Sequence, residues 1–323
     1  MLPVPDLDAR RPGRRLLLAG AGAALLAPLS GCGIRLEDDA PRVPLVPTRS
    51  PLAAEQRLVA LTSDCERLAG LADALGTTLG TGLATLHRRQ HTVLRTALLR
   101  RQVPAAGLDA VTSPSASSSS SSTSPSPTAS PRPGPALGAE EAAAAREVGA
   151  FAEAEASLLP TLAALHAQRW AAATVLTGAA PAPAAAVPPV VLDAVGSSVV
   201  EAADTAAYLA EVGAARSSGA RRERGEGTVR VLRALRTELR SGEDPPPVGL
   251  GHPLPFAVRT GADVDRMLTT TLTSLRATLG TALPDLVAAD PGAGLPAATR
   301  WLGTVEVEAH RWGVPLVPFP GLA

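Results

Sequence analysis

The chain has 323 residues, with 30 basic and 30 acidic side chains in formal balance. Every basic residue is arginine, and lysine and asparagine do not occur, which excludes Schiff-base lysines, phosphate-loop lysines and Asn-linked glycosylation. Aromatic side chains make up only 2% of the residues and are scattered, so neither base-stacking platforms nor a nucleic-acid partner is expected.

Arg10, Arg11, Arg14 and Arg15 precede an apolar run of 14 residues, Leu16 to Leu29. Spanning a bilayer takes about 20 residues, so this run is short for a transmembrane helix and suits a secretory signal. It closes on Leu29-Ser30-Gly31-Cys32, a lipobox. The small residues let a peptidase cut before Cys32, whose thiol then carries the lipid. Two or more acyl chains anchor stably where one does not. Residues 1–31 are therefore read as a lipoprotein signal peptide, Cys32 as the lipidation site, and the cell membrane as the location. Arg14-Arg15-Leu16-Leu17-Leu18 fits a twin-arginine signal and an ordinary secretory one equally. Removing residues 1–31 takes away four arginines and two aspartates, leaving 26 basic and 28 acidic residues, a net of about −2.

Residues 32–51 contain Pro41, Pro44, Pro47 and Pro51 and read as a flexible tether. Leu58, Leu61, Cys65, Leu68, Ala72 and Leu75 then repeat at threes and fours, one stripe of a packed helix. Cys65 on that stripe reads as a small buried core residue. It is the last thiol left once Cys32 is lipidated, so no internal disulfide forms. Gly76 to Gly82 breaks this helix. A second runs to about Gln102 with Leu83, Leu86, Gln90, Val93 or Leu94, and Ala97 facing inward, and Pro104 and Gly107 end it.

Residues 112–136 are almost wholly Ser, Thr, Pro, Ala and Gly and read as a disordered insertion in an N-terminal helical region, residues 52–178. A long helical pattern follows from Leu137 to Thr177, which Pro160 should kink or split. The Pro/Ala-rich stretch 180–189 reads as a linker. The C-terminal region, 190–323, offers four more helices, near 190–216, 222–241, 260–289 and 295–312, with Pro284 placed to end the third early. Strand-like alternation is nearly absent, so the fold class is all-α.

Chemistry is sparse in this pattern. There is no Glu-x-x-His, no Gly-x-Ser-x-Gly, no Cys-x-x-Cys and no phosphate-cradling glycine loop. Glu306 and His310 share a helix face and read as an exposed charge pair. His87 and His91 also share a face, but no carboxylate stands in their helix, and they read as surface or boundary residues. Glu155 and His166 are eleven residues apart, about 16 Å along a helix, too far to share one ion. Glu140, Glu141 and Glu147 sit near a helix start, where carboxylates favour the dipole.

Several C-terminal pieces carry a resemblance: Glu201 with Tyr208, Pro253-Leu254-Pro255-Phe256-Ala257-Val258, His310-Arg311-Trp312, and Phe319-Pro320-Gly321-Leu322. To these is added the looser Gly31-to-Pro41 segment. In them the chain resembles a family of actinobacterial lipoproteins with a ferritin-like C-terminal domain of unknown function. The resemblance implies an up-down four-helix bundle like ferritin's in the C-terminal half. It does not imply an enzyme. Leu232 stands where relatives tend to place a histidine and Thr271 where a carboxylate would sit, leaving Glu201 alone.

The sequence therefore leads to a non-catalytic lipoprotein of the cell envelope. It would be joined to the membrane through Cys32, act through contacts with an envelope protein, and have no catalytic, cofactor-binding or metal residues. Two alternatives stand beside it. One is a metal-binding or oxidase-type ferritin-like protein using His87, His91, His166 or His310. The other is a small-molecule or lipid carrier with an apolar cavity. The scaffold reading expects an interior of leucine and alanine without a polar cluster.

Overall fold

Leucine, valine and alanine at helical spacing make every regular element a helix, and no strand occurs among the described residues. The computed structural model describes residues 49–110, 133–181, 186–241 and 251–322. Residues 1–31, expected to be a signal peptide, Cys32, most of the expected tether and nearly all of the Ser/Pro-rich stretch lie outside the described residues.

Helix α1 (Glu55–Asp73) and α2 (Thr78–Arg100) form a hairpin. Gly76, at φ +63°, makes the turn, and the Thr77 hydroxyl caps α2 by accepting from Gly80 N at 3.0 Å. A short α3 (Ala105–Ala110) follows. Helix α4 (Pro133–Arg146) begins inside the stretch expected to be disordered. Prolines are tolerated in a first turn, where no N–H is needed. The long pattern from Leu137 to Thr177 is split: two 3-10 turns, Glu147–Phe151 and Ala156–Leu158, separate α4 from α5 (Leu159–Thr177). Pro160 sits in the first turn of α5.

Beyond the Pro/Ala-rich stretch come α6 (Pro189–Asp193), α7 (Ser197–Ala215), α8 (Gly219–Leu239), α9 (Gly261–Ala289) and α10 (Pro291–Arg311). Thr260 and Asp263 form a reciprocal capping box at the start of α9. Asp290 caps α10, accepting from Gly292 N and Ala293 N, with Pro291 at the first helical position. Pro284 does not end α9. The helix runs through it to Ala289, and the carbonyl left without a donor four residues back is that of Gly280.

Packing joins α4 to α5, α7 to α8, α9 to α10 and α7 to α9, while α10 lies as closely on α5 as on α9. Residues 50–323 form one compact unit, with an apolar core running from Leu58 in α1 to Trp312 after α10. Two glycines permit its tightest approaches. A Cβ on Gly303 of α10 would lie 2.6 Å from the Trp170 ring of α5, and one on Gly280 would lie 1.9 Å from the carbonyl of Gly321. Gly321, at φ +78°, is where the chain end crosses α9. No helix among the described residues is long and apolar enough to cross a membrane.

Candidate functional site

The interior between α1, α2, α4 and α5 holds a polar cluster among its leucines and alanines. His87, Gln90, Glu141, His166, Gln168 and Arg169 are all buried there, and His87 and Glu141 have no exposure at all. The expectation of a wholly leucine-and-alanine interior is corrected at this point.

On α2, Gln90 Nε2 donates to Pro318 O at 2.8 Å and to Gln168 Oε1 at 2.9 Å. Two oxygen acceptors fix the amide, so Oε1 is the atom 3.1 Å from His87 Nδ1. That ring nitrogen must then donate. His87 Nε2 lies 2.7 Å from Glu141 Oε1 on α4, and one proton is held between them. Whether written as imidazolium–carboxylate or as its neutral tautomer, the pair closes on itself inside the bundle.

Arg169 of α5 reaches the other way. Its guanidinium donates to Asp64 Oδ2 at 2.8 Å and to Cys65 Sγ at 3.3 Å, both on α1. Burial pushes the Cys65 thiol up from its ordinary range, with Arg169 opposing, so the sulfur stays protonated and accepts. Cys65 lies in the core, as its place on the α1 stripe predicts. His166, one turn before Arg169, donates Nδ1–H to Ala144 O of α4 at 2.9 Å and packs against Phe151. Burial first, and the Arg169 charge second, lower its pKa to about 3, so it is neutral. Its Nε2, like Glu141 Oε2, has no hydrogen-bond partner. Among the described residues, no three His, Cys, Asp or Glu side chains gather as metal ligands.

A second buried set lies on α10. Glu306 accepts from Arg276 of α9 at 2.7 Å and from Val317 N at 2.8 Å. Glu308 accepts from Thr228 of α8 at 2.8 Å, whose hydroxyl accepts from Trp312 Nε1 at 3.0 Å. Burial raises the pKa of both glutamates, opposed by Arg276 at Glu306 and by Arg311 at Glu308. The segment after α10 thus ties α2 through Pro318, α10 through Val317 and α9 through Gly321.

Other expected placements are corrected as well. His87 is not a surface residue: it lies on the buried stripe Leu83, Ala84, His87, Gln90, Leu94 and Leu98, while His91 stays half-buried outside the network. Its carboxylate comes from α4, not from its own helix. Glu141 is no first-turn dipole partner but a core residue, and Glu140 beside it meets Arg67 at the surface. Glu306 turns inward to Arg276, so it is not an exposed partner of His310. Glu155 lies ahead of α5, bonded to Arg101 and Ser157, and shares no helix face with His166. Among the family-pattern positions, Leu232 is core, Thr271 half-buried and Glu201 exposed. The inward register of Leu137, Glu141, Ala144 and Val148 was the available signal for the α4 carboxylate.

A cleft of about 320 Å³ opens between α5, α8 and α10, walled by Trp170, Leu235, Trp301 and Val307. At its edge the Arg300 guanidinium grips both oxygens of Glu238. Burial would raise the Glu238 pKa, but Arg300 outweighs it and the nearby Trp301 N–H adds to the lowering, so the carboxyl sits below its ordinary value.

No protein-family model matches this chain, and neither a curated protein nor a solved structure is significantly similar to it. The residues themselves carry the functional reading.

Proposed function

We propose that this chain is a membrane-anchored lipoprotein of the cell envelope, lipidated on Cys32. Its helical body is a non-catalytic scaffold that acts through protein contacts, with a ferritin-like bundle in its C-terminal half. The observation that carries the reading is the Leu29-Ser30-Gly31-Cys32 box behind an arginine-flanked apolar run, placed 23 residues before the first residue of α1. The interior chemistry supports it from the other side, because His87 and Glu141 answer each other and Arg169 is taken by Asp64 and Cys65. Groups bonded to one another within the core fix the arrangement of helices and offer little to a substrate.

Fractionation tests the anchor. The full-length protein should sediment with membranes and partition into detergent, and Cys32→Ala should release it to the soluble fraction. Unchanged partition of Cys32→Ala would overturn the reading.

A metal-holding reading has one specific observation behind it. His166 is oriented by a backbone carbonyl on Nδ1 and keeps a buried, unpartnered Nε2, the second-shell pattern of many metal-bound histidines. The fully buried carboxylate of this interior, Glu141, is already engaged by His87, which is why the scaffold reading is preferred.

A further inference from the structure

We propose that the cleft between α7 and α9 binds an organic cation that carries hydroxyl groups, of the amino-sugar class, with its ammonium on Glu201. Ser198, Glu201 and Thr205 stand three and four residues apart, so α7 turns them to one side. On α9, Thr270, Thr271, Ser274 and Thr278 share a face in the same way. Pro253 and Pro255 wall the remaining side. Thr205 is bonded to His252 at 3.0 Å and His252 packs on Tyr208, which holds the proline segment against α7. The cleft measures about 400 Å³, within the roughly 300–1,000 Å³ typical of small-molecule sites.

Glu201 is exposed and is the one charged side chain among the described residues of this lining. The acids that follow it on α7 are taken, Asp204 by Arg240 and Glu211 by Arg233. Glu201 has neither an ion pair nor a hydrogen bond among the described residues. One carboxylate is too few for a metal ion, which needs several ligands, but it suffices for an ammonium. The hydroxyls select the rest of the ligand. Elsewhere in this chain helical threonines donate to the carbonyl four residues back, as Thr92, Thr96 and Thr237 do. Ser198, Thr270, Thr271 and Ser274 make no hydrogen bond among the described residues, so each keeps a donor and an acceptor for a ligand. Groups that both give and accept match the hydroxyls of a sugar, and Ala202, Leu209 and Leu275 between them meet its C–H faces. A scaffold that acts only through contacts needs no such cleft, so this inference goes beyond the proposed function and stands or falls separately from membrane anchoring.

The test titrates the full-length protein, in a detergent without a sugar headgroup, by calorimetry at pH 6. The probes are chitobiose, the β-1,4 disaccharide of glucosamine; cellobiose, with the same linkage and hydroxyls in place of the ammonium groups; and 1,6-diaminohexane, which has the charge without the hydroxyls. Saturable chitobiose binding is expected, about tenfold tighter than either of the others, the worth of one charge-assisted hydrogen bond. Glu201→Gln should bring chitobiose down to the cellobiose level, while Glu153→Gln, an exposed acid outside the cleft, should leave its affinity in place. Ser274→Tyr, at an exposed position on the α9 wall, should block chitobiose without moving the thermal unfolding profile. Three results would overturn the proposal: no saturable chitobiose binding at millimolar concentration, cellobiose or the diamine binding as tightly, or chitobiose binding undiminished in a folded Glu201→Gln.

Discussion

Between α7 and α9 the interior is filled by Val264, Met267, Leu268, Leu272 and Leu275 against valines and alanines, and its buried charge is Asp204, paired with Arg240. Between α1, α2, α4 and α5 the interior instead holds His87, Gln90, Glu141, Gln168 and Arg169. Residues of α1, α2 and α5 join those of α7 and α9 in one apolar cluster, and a second cluster gathers Leu68, Leu83, Leu137 and Ala171. The leucine-filled group is held by area and shape, which tolerate substitution when volume is kept. The polar group is held by directional bonds that only one register of four helices satisfies, so a loss on one side strands a partner in a dry interior.

The largest expected effect breaks the polar side. Glu141→Ala leaves His87 buried without its partner and should cost about 3–5 kcal/mol in urea unfolding. The double variant His87→Leu/Glu141→Leu should lose much less, since both polar partners go together. Losses in the double variant that equal the sum of the single ones would show that the pair is not coupled.

The apolar side answers with Leu272→Ala, about 2–5 kcal/mol by loss of packing. This loss should be the same at pH 5 and pH 7. Next comes the backbone crossing. Gly280→Ala places a methyl against the Gly321 carbonyl and should cost about 1–3 kcal/mol, read as a lowered urea midpoint.

Acid sharpens the comparison further. Between the ordinary histidine pKa of 6.5 and the folded value of about 3 for His166, the unfolded chain binds a proton that the folded chain refuses. Stability contributed by this group is therefore present above pH 6.5 and falls as pH falls, by at most about 1.4 kcal/mol per pH unit. His166→Gln should flatten that part of the profile. Glu306 and Glu308 act with the opposite sign, because their raised pKa gives stability that is lost as pH rises through the folded values. The smallest effect is at the surface: Thr260→Ala removes the capping box of α9 and should lower stability by about 1 kcal/mol in the same assay.

The helices were legible because their signals are local. Gly76 at a turn, Thr260 with Asp263, and Asp290 with Pro291 mark ends by backbone chemistry that neighbours in sequence decide. Pro160 was legible as a break for the same reason. Pro284 was not, since the helix continues wherever packing on both sides outweighs one missing bond. The polar interior was hidden for another reason. Glu140 and Glu141 are the same residue type side by side, and only the register with Leu137, Ala144 and Val148 turns one inward. His87 is hidden because a stripe through Leu86 and Ala97 competes with the one through Ala84 and Leu98, and the pattern leaves Val93 and Leu94 open. The partners that satisfy Gln90 and Glu306, at Pro318 and Val317, come from a tail without periodicity, and only the folded chain brings them in.

The central claim is that the buried histidines and carboxylates of this chain are held by other groups of the protein and not by an ion. It is tested most directly by elemental analysis of full-length protein, purified without affinity tag or chelator and with the buffer as reference. The account predicts transition metal far below one ion per chain, and an unchanged unfolding curve after chelation. Iron, manganese or zinc near one per chain, lost in His166→Gln, would contradict it.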